Sequence, residues 1–328
     1  MKDQITHLVF SGNALRSICL CGVLRYLYCY NLHTHIRDIA GTSMGAFFGF
    51  AFALKIPIEE LEEIIYKLSK NPKFCKFDSS SFLNIIDTYG LSSSLDYFES
   101  IREYLNTHYN QNDITFLELS KKTGINLYVS TTCLTTGKNE IFNVNDTPNI
   151  SVIDAIAASM CIPILSKPIK IGKRYYIDGC LSNNFPIECF VNKNSKINKN
   201  NILGVGVLDF NDNKQNISHN NYEDDDNLSL IKYIANLSYL MHLNTYKYCF
   251  SEKILNHPNV LIIKNSPIRS ILKPKIEDNC IDISLTDDDI NNLILQGFKE
   301  MNDYYNNDNT DNTDNNDNND NNDNNNDI

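Results

Sequence analysis

Within its first 54 residues the chain repeats one pattern twice: a short apolar run, a glycine-containing turn and an apolar segment of helix length. Ile5 to Phe10 reads as a buried strand stopped by Ser11-Gly12. Between Arg16 and Tyr30 the residues Ile18, Leu20, Val23, Leu24 and Leu27 recur at helical spacing. Ile36 to Ala40 reads as a second strand ended by Gly41, and Ser43 to Leu54 as a strongly apolar helix. Successive strands joined by helices have few ways to fold, because each connection must cross over a sheet whose strands run parallel. The expected class is α/β, a central, mainly parallel sheet flanked by helices.

Further elements follow the same logic. Pro57 and the acids Glu59, Glu60, Glu62 and Glu63 open a surface helix that runs through Leu68. Residues 71–94 carry two serine triplets around Phe82 to Ile86 and suit either a flap or a packed linker. Helical spacing returns over Leu95 to His108; Ile125 to Thr131 and Glu140 to Val144 read as strands, and Ile153 to Met160 as a short helix. A basic hairpin, Lys170 to Arg174, leads into the strand Tyr175 to Ile177, which delivers Asp178-Gly179. Acidic residues at strand ends are where α/β sheets place chemistry. Then come a strand at Ile202 to Leu208, a polar loop from Asn211 to Asn227, a long helix from Leu228 to Leu255, a strand at Val260 to Ile263 and a last helix capped by Thr286 with Asp289.

Composition removes several function classes. With 42% hydrophobic residues in 328, the chain can build a full core. Its formal charge of -11 comes partly from the Asn/Asp run between Asn306 and Asp327, which has nothing to bury and is expected to be disordered. No Lys/Arg block or basic helical stripe is present, so nucleic acid is not an expected partner. The start of the chain lacks a charged region followed by about 7–15 apolar residues, and no run reaches the roughly 18–20 needed to span a bilayer. A soluble, cytoplasmic protein, peripheral at membranes at most, is expected. The ten cysteines are scattered through apolar segments without a CxxC pair, which indicates reduced, buried thiols. Neither Cys19-x-Cys21 nor His33-x-His35 has the second pair that a zinc site requires, so no metal is expected.

Chemistry concentrates at Gly41-Thr42-Ser43-Met44-Gly45, a G-x-S-x-G sequence set between a strand and a helix, where a nucleophile elbow would lie. Such a turn forces the serine into a strained conformation and brings backbone so close to Gly41 and Gly45 that side chains there would clash. A serine hydroxyl also needs a base and an oxyanion site. The histidines after Asp178 are His219 in the polar loop and His242 and His257 in or near the long helix, none beside a strand-end turn.

At the end of the first strand stands Ser11-Gly12-Asn13-Ala14-Leu15-Arg16-Ser17, and the following helix carries Gly22-Val23-Leu24. Together with the elbow, with Asp178-Gly179-Cys180 and with Asn184-Phe185-Pro186, this order resembles the patatin-like phospholipases over roughly residues 5 to 190. Thr131-Thr132 and Ala157-Ala158-Ser159 leading into Ile162-Pro163 are weaker echoes. The resemblance implies a patatin-like catalytic core over 5–190, an extension of the same domain over 191–306 and a disordered tail over 307–328. It implies a Ser-Asp dyad in which Ser43 attacks an ester carbonyl and Asp178 takes its proton, without metal or organic cofactor. The amides of Gly12, Asn13 and Ala14 would bind the oxyanion, with Gly179 supporting the turn and Arg16 either pinning the loop or meeting a phosphate headgroup.

The implied activity is lipid acyl hydrolysis of the phospholipase A or lysophospholipase type, with a phospholipid or other lipid ester as substrate and transient contact with a membrane surface. Neutral-lipid or general carboxylesterase activity is the neighbouring alternative. The chain departs from the family where Gly-Gly-Gly has become Gly12-Asn13-Ala14 and the glycine after the basic residue has become Ser17. Alanine pays about 1–2 kcal/mol for a left-handed backbone, so a catalytically impaired lipid-binding protein of the same fold is a further alternative.

Overall fold

The computed structural model describes residues 4–72, 76–77, 89–191, 197–208, 257, 259–264, 275–277, 280–282 and 284–310. Strand β1 (His7–Phe10) is followed by a 3₁₀ turn (Ala14–Ile18), α1 (Cys19–Cys29), β2 (Asp38–Thr42), α2 (Met44–Ala53) and α3 (Ile58–Lys70). Next come β3 (Lys76–Phe77), β4 (Gly90–Ser92), α4 (Glu99–Tyr109), α5 (Phe116–Thr123), β5 (Asn126–Cys133), β6 (Lys138–Phe142) and α6 (Val152–Ser159). The remainder is β7 (Ile164–Ser166), β8 (Ile169–Ile171), β9 (Arg174–Asp178), β10 (Ile202–Leu208), β11 (Val260–Lys264), β12 (Lys275–Glu277), β13 (Cys280–Asp282) and α7 (Asp287–Thr310).

Among the described residues, eight strands form the main sheet. β11, β10, β1, β2 and β5 lie side by side and parallel, while β6, β8 and β9 are antiparallel additions at one end. Alternation along β1 and β2 splits the core between the two faces. Leu8, Phe10 and Ile39 pack with the helices, whereas Val9 and Ala40 pack with Phe185, Ile187 and Phe190. Helix α2, Met-Gly-Ala-Phe-Phe-Gly-Phe-Ala-Phe-Ala, is buried on every side, as an apolar helix must be when sheet and other helices enclose it. α3 buries its apolar residues Ile58, Leu61, Ile64, Ile65 and Leu68 along one stripe, together with Ser69, with Glu59 and Glu60 in its first turn and Lys67 and Lys70 in its last.

The register of β5 brings the two halves of the fold together. Val129 pairs with both Gly41 of β2 and Phe142 of β6, and Thr131 pairs with both Asp178 of β9 and Glu140 of β6. β6 therefore occupies one edge of β5, and β2 and β9 share the other, meeting end to end. Thr42 stands opposite Ser130 and Asp178 opposite the next residue, Thr131.

Helices α1 and α7 cross at glycines. A Cβ on Gly22 would lie 1.9 Å from the Ile294 carbonyl oxygen, and one on Gly297 would lie 1.8 Å from that of Cys19. Around the crossing, the Tyr26 ring packs on Phe298 and Tyr305 at centroid distances of 5.4 and 5.6 Å. α7 continues through Thr310, four residues past the point where the disordered tail was expected to begin. Its apolar residues Ile290, Leu293, Ile294 and Met301 are buried, and the helix extends beyond that anchored part.

Two other expectations change. Gly41 lies inside β2 rather than ending it, because the strand runs on to Thr42. Helix α5 has no counterpart in the sequence reading, although Thr115-x-x-Glu118 forms a full capping box at its start. The long helix expected over residues 228–255, the polar loop at 211–227 and most of the 71–94 segment lie outside the described residues. Among the described residues no helix is long and apolar enough to cross a membrane.

Candidate active site

Ser43 follows β2 directly and precedes the first residue of α2, with φ 52° and ψ -127°. For a residue with a Cβ this is a strained backbone, held by the close packing on either side. A Cβ on Gly41 would stand 2.7 Å from the Ala46 nitrogen, and one on Gly45 would stand 2.5 Å from the Ser11 carbonyl oxygen. The strand-to-helix turn thus leaves room for no side chain at either flank. The Ser43 amide donates to Ser159 Oγ at 2.7 Å, and Ser159 Oγ donates to the Ser130 carbonyl at 2.6 Å. One hydroxyl on α6 thereby ties the elbow to β5.

Asp178 arrives from the opposite direction at the end of β9. Ser43 Oγ donates to Asp178 Oδ2 at 3.0 Å, while Asp178 Oδ1 accepts the Cys180 amide at 2.8 Å. Both side chains are buried, Ser43 at 4% exposure and Asp178 at 3%. Loss of water pushes the Asp178 carboxyl up to about 6, against the opposing effect of the hydrogen bonds from Cys180 and Ser43. Gly179 lets the turn lie on β5, since a Cβ there would come within 2.2 Å of the Ser130 carbonyl oxygen. No histidine among the described residues hydrogen-bonds Ser43 or Asp178. His257 precedes β11 at the far edge of the sheet, and His219 and His242 lie outside the described residues.

The loop after β1 borders the serine closely enough that a Cβ on Gly12 would stand 2.7 Å from Ser43 Cβ. Of the three amides expected to receive an oxyanion, Gly12 donates to Asn184 Oδ1 at 3.0 Å and Asn13 donates to Ser17 Oγ at 2.8 Å. Asn184 also donates through Nδ2 to the Gly12 carbonyl at 3.0 Å and accepts from Cys180 Sγ at 2.8 Å. Its carboxamide pairs with Gly12 as a neighbouring strand would. The left-handed conformation falls on Ala14, φ 44°, whereas Asn13 is extended, φ -164°. Asn13 instead anchors the loop through Nδ2 to the Val207 carbonyl at 3.2 Å, and Ser11 Oγ accepts the Val207 amide at 2.8 Å. Arg16 is buried in the 3₁₀ turn.

Sequence reasoning named Ser43, Asp178 and the glycines, and the fold brings them together. It gave no role to Ser17, Ser130, Ser159 or Asn184, which hold those residues in place. Ser159 and Asn184 did carry a signal, because Ser159 closes the Ala157-Ala158-Ser159 helix end and Asn184 sits in the Asn184-Phe185-Pro186 segment after the Asp178-Gly179 turn.

A family profile described as Patatin-like phospholipase matches residues 8–191. A probable lipid hydrolase of Invertebrate iridescent virus 6 is 32% identical over 221 residues, 64% of this chain and 72% of that protein. An uncharacterized protein of Acanthamoeba polyphaga mimivirus is 24% identical over 276 residues, 82% of this chain and 86% of that one. Among solved structures, VipD from Legionella pneumophila aligns with a TM-score of 0.55 at 14% identity, over 93% of this chain and 67% of its own, a likeness of fold.

Proposed function

The chain belongs to the patatin-like phospholipase family, and from that premise we propose that it is a lipid acyl hydrolase acting through Ser43 and Asp178. The observation that carries the reading is the 3.0 Å hydrogen bond from Ser43 Oγ to a carboxylate that burial has made more basic. In the first step Asp178 Oδ2 takes the Ser43 proton as Oγ bonds to the ester carbonyl carbon. The tetrahedral adduct then collapses, the ester C–O bond breaks, and the leaving alcohol takes the proton from Asp178. Water repeats the sequence on the acyl-enzyme, giving fatty acid and free Ser43. A glycerophospholipid or lysophospholipid is the proposed substrate class.

A carboxylate base sets the pH dependence. kcat/KM on a monomeric ester is expected to rise as pH passes through about 6, where Asp178 loses its proton, and to stay level above it. Replacing His219, His242 or His257 is expected to leave that profile unmoved. A shoulder that disappears with one of these histidines would overturn the dyad. Running phospholipid, lysophospholipid, triacylglycerol and short soluble esters in parallel separates phospholipase from general esterase activity.

A second reading, a lipid-binding protein with impaired turnover, is favoured by one observation: the amides of Gly12 and Asn13 already bond to side chains. Asn13 and Ser17 are both departures from the family pattern, and they bond to each other. An oxyanion carries more charge than a serine hydroxyl and is the stronger acceptor for the Asn13 amide. Restoring glycine with Ser17→Gly removes the competing acceptor and is expected to raise kcat several-fold with little change in KM. A fall in kcat would mean that the Ser17 hydroxyl itself holds the loop in its working shape.

A further inference from the structure

Two hairpins stand beyond the elbow at the same end of the sheet. β5 continues past Ser130, the partner of Thr42, to Cys133 and then turns through residues 134–137 into β6. β8 and β9 turn through Gly172 and Lys173 beside it. Cys133 pairs with Tyr176, and the Leu134 amide donates to the Tyr175 carbonyl at 2.9 Å, so the next residues of the two strands are also side by side. Tyr175 in turn pairs with Lys170. Leu134, just past the end of β5, Tyr175 of β9 and Lys170 of β8 therefore form a row on one face.

This row is exposed, whereas Cys133, Tyr176 and Ile169 beside it are buried. Leu134 is 49% exposed and Tyr175 47%, and the Lys170 ammonium lies 5.7 Å from the centre of the Tyr175 ring. Lys173 is exposed in the adjoining turn, and no acidic residue occurs in 134–138 or 167–175. Arg174 bonds to Glu140, so that pair adds no net charge. Among the described residues neither Lys170 nor Lys173 has an ion pair.

From this combination we propose that the Leu134–Tyr175–Lys170 row is the surface by which the protein docks on an anionic phospholipid bilayer. The inference rests on the lipid-hydrolase reading for its purpose. An aromatic ring with a polar tip and a leucine suit the boundary between headgroups and acyl chains, and the ammonium groups of Lys170 and Lys173 suit negatively charged headgroups. Tyr175 lies three strand residues from Asp178, about 10 Å along β9. A bilayer held at the row would lie within reach of the end of the sheet that carries Ser43.

The test separates docking from catalysis. Sedimentation with vesicles of phosphatidylcholine, with and without phosphatidylserine, would be measured for the full chain carrying Ser43→Ala so that the lipid stays intact. Two derivatives would be compared, Lys170→Glu with Lys173→Glu and Leu134→Ser with Tyr175→Ser, and both pairs would also be made in the active chain. Binding is expected only with phosphatidylserine and to weaken with salt. The charge-reversed pair should lose at least about 10-fold in affinity, since each lysine contributes roughly fivefold near an anionic surface. The apolar pair should lose several-fold, and neither pair should change hydrolysis of a monomeric soluble ester. Undiminished vesicle binding by both pairs would overturn the proposal, as would a loss of self-association showing that the row covers a second copy, or a matching fall in soluble-ester turnover. Docking that behaves as expected in a chain that hydrolyses no ester would sustain this surface and sink the catalytic reading instead.

Discussion

Asp178→Asn is expected to abolish ester hydrolysis and, at neutral pH, to make the protein more stable. Asparagine is nearly isosteric, can still accept the Cys180 amide and can still meet Ser43 Oγ, but it cannot take a proton from a hydroxyl. kcat/KM should fall by at least about 10³-fold, in keeping with the loss of a positioned base. The gain in stability follows from the raised carboxyl. An acid whose folded pKa is about 6, against about 3.9 in an unfolded chain, costs stability wherever it is charged in both states. That cost is absent below pH 4, grows between 4 and 6, and reaches on the order of 2–3 kcal/mol above 6. Chemical denaturation at pH 7.5 should show Asp178→Asn the more stable protein, and at pH 4 the difference should vanish. Equal stability at both pH values would mean that the carboxylate is not desolvated and that the proposed source of its basicity is wrong.

The crossing of α1 and α7 carries the other large effect. At Gly22 and Gly297 an added methyl meets backbone of the facing helix below 2 Å, and backbone cannot swing away as a side chain can. Gly22→Ala or Gly297→Ala must part the helices, and each is expected to cost about 3 kcal/mol, the upper part of the range for overpacking. The double variant should cost less than the sum, because one separation makes room for both methyls. Urea denaturation with an unchanged slope would check this. Unaltered stability in both single variants would show that α7 does not pack on α1 as described. Since α1 follows the loop that borders Ser43, these variants should also lower activity.

Much of the fold was legible because strand and helix periods alternate cleanly from Ile5 to Leu54, and because the strand at Ile202 to Leu208 is an unbroken apolar run. Ser43 was legible from its flanking glycines, and Asp178 from an acid placed at the end of a strand. The edge shared by β2 and β9 was not, since nothing local says that two strands will meet head to head along β5. The same holds for Ser159 and Asn184, whose bonds span 116 and 172 residues of chain. A hydroxyl or carboxamide satisfied over such separations leaves no periodic trace. The loop after β1 is a mixed case: the cost of losing glycines was readable, but Ala14 bears it, while Asn13 stays extended and uses its side chain as an anchor.

The central claim is that Ser43 is the nucleophile. Its most direct test is to treat the purified full chain with a lipid-like fluorophosphonate and locate the adduct by mass spectrometry of peptides, alongside Ser43→Ala and Asp178→Asn. One adduct is expected, on Ser43, formed far more slowly in Asp178→Asn, absent in Ser43→Ala, and accompanied by loss of fatty-acid release. An adduct on another residue, or fatty-acid release that persists in Ser43→Ala, would contradict it.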